Sequence, residues 1–144
     1  MWTEPGDDAV RDLLQTTRTL AVVGVSPDPT RPSNEVYGYL KATGDYAMYP
    51  VNPTIDELDG ESVFASLSAL PVVPDIVDVF RRSDHLRSVL EDAIAVGAKS
   101  IWLQQGLWDE QLAIDAEAAG LQVVMDRCLK VEHARLIGAR GERG

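Results

Sequence analysis

At 144 residues the chain has the length of one domain with one substantial core, and 23 acidic against 13 basic residues give it a formal net charge of -10. That balance opposes non-specific attraction to nucleic acid or an anionic membrane surface. No apolar run approaches the ~20 residues of a membrane-spanning helix. The start Met-Trp-Thr-Glu-Pro lacks a basic and apolar leader, and the one cysteine, Cys128, has no partner for an intramolecular disulfide. The expectation is a cytoplasmic protein with no nucleic-acid or membrane partner. Residues 1–144 are read as one domain with its core at about 19–137 and a flexible tail at 138–144.

In chain order, Val10, Leu13 and Leu14 fall at helical spacing after Pro5, Gly6 and two aspartates, which predicts a short leading helix covering a sheet edge. Thr19 to Val25 follows as a continuous aliphatic run without alternation, the pattern of a strand buried on both faces. A proline-studded loop leads to Ser33, read as the cap of a helix with Val36, Tyr37 and Leu40 on one face and Gly44 at its end. The second strand is Tyr46 to Pro53, in which Pro50 cannot donate to a ladder. A polar connection and a brief helix between Val63 and Leu70 come next.

The third strand is Asp75 to Phe80. Ser83 is read as the cap of a helix carrying Leu86, Val89, Leu90, Ala93 and Ile94, stopped by Gly97. Ser100 to Leu103 is the fourth strand, Asp109 to Gly120 a helix, Leu121 to Met125 the fifth strand, and Leu129 to Ile137 the last helix. Strands alternating with helices predict an α/β Rossmann-like fold, a three-layer α/β/α sandwich on a five-stranded parallel sheet with right-handed crossovers. The strand order expected is 3-2-1-4-5.

In such sheets the ligand crevice lies beyond the carboxyl ends of the strands at the switch point, here between strands one and four. The first loop joins a strand end to a helix N-terminus, where free N–H groups favour an anion. Of the dinucleotide fingerprint G-x-G-x-x-G only Gly24 is present, since Ser26 and Pro29 hold the other two places. The acid expected after strand two is replaced by Val51-Asn52-Pro53, so both departures count against NAD. Arg31 either holds a phosphate bidentately or is a solvated partner of Asp28, and Arg81 either faces an anion or pairs with Asp84.

Six pieces then stand in order: Val-Val-Gly-Val-Ser…Arg-Pro-Ser, Tyr-Pro-Val-Asn-Pro, Asp-Gly-Glu, Val-Asp-Val-Phe-Arg, Ile-Trp-Leu-Gln-Gln-Gly and Asp-Arg-Cys-Leu-Lys-Val-Glu-His. Together, from about Thr19 to His133, they resemble the small CoA-binding domain proteins, stand-alone relatives of the N-terminal domain of the succinyl-CoA synthetase α-subunit. The resemblance implies binding of coenzyme A or an acyl-CoA. Gly24, Val25, Ser26, Arg31, Pro32 and Ser33 would serve phosphate and turn geometry, and Val51, Asn52 and Pro53 would frame the nucleotide. Phe80, Arg81, Ser83, Leu103, Gln104 and Gly106 would line the rest. The synthetases' second domain, with its phosphorylated histidine, has no counterpart here, so binding without ligase chemistry is expected. The alternatives are a nicotinamide-dependent oxidoreductase, a CoA-using transferase needing a partner, or a CoA-sensing regulatory subunit. The ligand expected is a small molecule, with a protein partner or a homo-oligomer left open.

Cys128, Glu132 and His133 invite a nucleophile-and-base reading. On a helix, however, His133 is turned from Cys128 by roughly 140°, so no catalytic residue is assigned. His85 and His133 are the only histidines and neither has a second ligand at metal spacing, so no metal site is assigned.

Overall fold

A computed structural model of the chain describes residues 2–138. Chain order runs α1 (Asp7–Thr16), β1 (Thr19–Val23), α2 (Pro32–Thr43), β2 (Ala47–Val51), β3 (Glu57–Leu58), β4 (Glu61–Ser62), β5 (Ile76–Val79), α3 (Leu86–Val96), β6 (Ser100–Leu103), α4 (Glu110–Ala118), β7 (Gln122–Val124) and α5 (Leu129–Leu136). Short 3₁₀ turns lie at Leu67–Ala69 and Ser83–His85. The expected flexible tail at 138–144 lies outside the described residues but for Gly138.

The five-stranded sheet is parallel throughout, as expected, but its order is β2-β1-β5-β6-β7. In the numbering of the five main strands this is 2-1-3-4-5, which corrects the expected 3-2-1-4-5. The reason is legible in two strands. Pro50 stands inside β2 opposite Val22 and cannot donate to a ladder on a second side, so β2 belongs at an edge. All four residues of β5 are buried, which demands neighbours on both sides, and β1 and β6 supply them.

Alternation along the central strands sends side chains to two separate layers. Leu20, Val22, Ile76 and Trp102 pack with α1, α2 and α5 through Leu14, Val36, Leu40 and Leu129. Ala21, Val23, Val77, Val79, Ile101 and Leu103 pack with α3 and α4 through Leu86, Leu90, Leu112 and Ala116. The helix α1 packs into the first of these layers, and its Ala9, Val10 and Leu13 share the lining of a small pocket with Gln122–Val124 of the edge strand β7. Before α1, Trp2 packs in the α3/α4 layer, its indole donating to Glu117.

The helix ends also depart from expectation. α2 has Arg31 at the N-cap and Pro32 in its first position, so Ser33 already lies inside the helix. α3 starts at Leu86, and Ser83 opens the 3₁₀ turn before it. Asp109 does cap α4, its carboxylate accepting from the Leu112 amide at 3.0 Å. The polar connection after β2 folds into the β3–β4 hairpin, turned at Asp59 and Gly60 with positive φ and tied to α2 by a Lys41–Glu61 ion pair. No helix among the described residues is long and apolar enough to cross a membrane.

Candidate ligand-binding site

The order 2-1-3-4-5 moves the switch point from strands one and four to strands one and three, between β1 and β5. Beyond their carboxyl ends lies a cleft of about 630 Å³ lined by Gly24, Ser26, Arg31, Pro32, Ser33, Val36, Phe80, Arg81, Arg82, Gln104, Gln105, Leu107 and Cys128.

Gly24 is the hinge of this cleft. Its amide extends the ladder to Val51 at 2.8 Å, its φ is +89°, and a Cβ there would lie 2.3 Å from the Phe80 carbonyl oxygen. Only glycine allows β1 and β5 to approach this closely while the chain turns into the loop.

The loop is held by side chains that point into it. Ser33 Oγ accepts the Ser26 amide at 2.9 Å, Asn34 Nδ2 donates to the Ser26 carbonyl at 2.9 Å, and Asn52 Nδ2 donates to the Val25 carbonyl at 2.8 Å. Asp28 accepts from the Thr30 amide and hydroxyl, which hold its carboxyl below the usual range. The Ser33 hydroxyl donates to no acceptor among the described residues, and neither does its backbone N–H, in the first turn of α2. Those are the free donors of a helix N-terminus.

Charge separates sharply here. The protein carries a formal net charge of -10, yet every charged residue lining the cleft is an arginine. Arg31 has only a long contact with Asp28, at 4.0 Å, and is largely exposed. Arg81 and Arg82 make no ion pair among the described residues, so the alternative pairing of Arg81 with Asp84 is not formed.

Of the residues expected at the site, Gly24, Ser26, Arg31, Pro32, Ser33, Phe80, Arg81 and Gln104 line the cleft. Val25, Val51 and Leu103 are buried in the core behind it. Asn52 acts through the loop, its Oδ1 accepting from the Thr54 amide and hydroxyl, and Pro53 and Ser83 are exposed and do not line the cleft. Gly106 is also exposed and donates its amide to Asp126 Oδ1 at 2.7 Å, which ties the β6–α4 loop to the β7–α5 loop.

The sequence reading left Val36, Arg82, Leu107 and Cys128 out of the site. Val36 follows Ser33 by three residues, a helical spacing that carries the same face inward. Cys128 arrives because α5 folds back toward the sheet, where the Leu129 amide donates to Gln104 Oε1 at 3.0 Å. The supposed Cys128–Glu132–His133 cluster disperses. Glu132 pairs with Arg135 at 2.6 Å. His133 is fully buried between Tyr39 Oη at 3.0 Å and Asp45 Oδ2 at 2.8 Å.

Fold and cleft together define a Rossmann-like α/β domain with an arginine-lined crevice at its topological switch point. Residues 18–134 match the family described as CoA binding domain, and the chain belongs to that family. It is 40% identical to the uncharacterized protein YneT of Bacillus subtilis over 130 residues, 90% of this chain and 96% of that one. A Thermus thermophilus structure, cell-free ID.343, superposes with a TM-score of 0.86 at 39% identity, covering 92% of this chain and all of the other. The α subunit of the ADP-forming acetate–CoA ligase II of Pyrococcus furiosus is 23% identical over 137 residues, of which the chain spans 30% of the relative's length.

Proposed function

We propose that the cleft binds coenzyme A or an acyl-CoA, without ligase chemistry of its own, in a cytoplasmic setting. The observation that carries this is the all-arginine charge of the cleft on an acidic protein. A ligand matched to it is a compact polyanion with an apolar arm. CoA has both: phosphates for Arg31, Arg81, Arg82 and the free Ser33 donors, and a pantetheine arm for Val36, Phe80 and Leu107. NAD fits less well, because the position of its ribose-binding acid is Asn52, whose side chain is already spent on Val25 and Thr54. Membership of the CoA binding domain family supports the same ligand.

A partner protein is part of this reading, since the curated Pyrococcus relative is one subunit of a ligase. Titration calorimetry with CoA tests the site. Arg81→Ala and Arg82→Ala should each weaken CoA by about tenfold or more, the worth of a charge-assisted hydrogen bond. Lys99→Ala, at the opposite end of the strands beside Asp75, should leave it unchanged. Equal effects from all three would remove the cleft from consideration.

A further inference from the structure

We propose that the cleft captures CoA covalently as well as reversibly, through a mixed disulfide between Cys128 and the CoA thiol. This rests on the reading that the cleft binds CoA. Cys128 is half-buried in the wall of the same cleft that carries Arg81 and Arg82, which make no ion pair among the described residues, alongside the apolar residues Val36, Phe80 and Leu107. A CoA anchored by its phosphates at the arginines sends its pantetheine along that apolar lining, and the arm ends in a thiol. Thus the only sulfhydryl in the sequence lines the same cleft that would take a ligand carrying another.

Two features separate this from hydrolytic or acyl-transfer catalysis. The only nearby imidazole in sequence, His133, is committed through both ring nitrogens to Tyr39 and Asp45. Thiol–disulfide exchange needs none, only a thiolate and an attackable disulfide. In addition, the sequence holds no second cysteine to attack and resolve the adduct, so a mixed disulfide formed here persists until an external thiol removes it.

The step balances with CoA disulfide as oxidant. The Cys128 thiolate attacks one sulfur of CoA–S–S–CoA; the Cys128–CoA sulfur bond forms, the bond between the two CoA sulfurs breaks, and one CoA thiolate leaves and takes up the proton lost from Cys128. Excess external thiol reverses the sequence. The cleft would then hold CoA by non-covalent contacts under reducing conditions and as the mixed disulfide under oxidising ones.

Intact-mass spectrometry of the whole chain tests this. At equal concentrations of CoA disulfide and glutathione disulfide, the CoA adduct should form at least about tenfold faster, because docking raises the effective concentration of the disulfide at Cys128 toward the millimolar range. Desulfo-CoA, which docks but carries no thiol, should suppress it, and Cys128→Ser should abolish it. Equal rates for the two disulfides, no protection by desulfo-CoA, or no adduct at all would overturn the inference. Melting the wild-type protein with CoA in the presence of a phosphine reductant separates the two claims. Stabilisation there, without selective adduct formation, leaves the binding reading standing and removes only the covalent step.

Discussion

Gly24 shows how much of the site depends on one missing side chain. Its φ of +89° costs any L-residue about 1–2 kcal/mol, and a Cβ would press to 2.3 Å from the Phe80 carbonyl, backbone that can yield only if β1 and β5 part. Gly24→Ala should therefore lower the stability by more than the conformational term alone and weaken ligand binding with it. Urea unfolding with a parallel CoA titration measures both, and a variant with wild-type midpoint and affinity would contradict the assigned role. Around this glycine, residues expected from the sequence at the phosphates or framing the nucleotide divide into two kinds. Arg31 faces the cleft, whereas Asn52 and, in part, Ser33 spend their polar groups on shaping the loop. Chain spacing placed them at the right corner, but which way an amide or hydroxyl turns depends on where the loop carbonyls end up, and that is set in three dimensions.

At the level of elements, α5 joins the cleft to the interior. Its first residue bonds Gln104, Cys128 before it lines the cleft, and His133 one turn later is buried against α2 and the segment leading into β2. Leaving a buried polar group without its hydrogen-bond partner costs about 1–3 kcal/mol, and truncating a buried side chain adds the cost of a cavity. His133→Ala, which leaves the Asp45 carboxylate and the Tyr39 hydroxyl without their imidazole, should destabilise the fold by about 3 kcal/mol in urea unfolding; a loss below about 0.5 kcal/mol would show the clasp to be incidental. Helix and strand types were legible because the apolar periods are strong: the run in β1 and the stripe of α3 leave little choice. The strand order was not, although its clue was present in Pro50, which suits an edge strand. The β3–β4 hairpin was also signalled, by the Asp59-Gly60 pair that favours positive φ. The return of α5 toward α2 had no local signal, because it is fixed by Gln104 and by the His133 contacts across long sequence separations.

For the whole molecule, a parallel sheet buried on both faces also encloses a carboxyl group. Asp78, in the middle of β5 between Val22 and Trp102, is fully buried with both oxygens unpartnered, and burial pushes its carboxyl well above the ordinary carboxylate range. The folded protein thus keeps a proton that the unfolded chain loses near pH 4. The stability associated with it is full below the unfolded value and declines as pH rises toward the folded one, by up to about 1.4 kcal/mol per pH unit. Asp78→Asn should lack that decline, so its stability relative to the wild type should grow from pH 4 to pH 8 in denaturant titrations. A difference constant with pH would mean that the carboxyl is not protonated in the fold.

The same global view places the arginine cleft on an otherwise acidic surface, and the central claim is that this cleft holds CoA. Thermal unfolding with CoA, acetyl-CoA, NAD, NADP and ATP in parallel is the most direct measurement. CoA at about 100 times its dissociation constant should stabilise the fold by roughly 2.7 kcal/mol, with NAD and NADP well behind. A melting curve that CoA leaves unmoved while NAD shifts it would contradict the account.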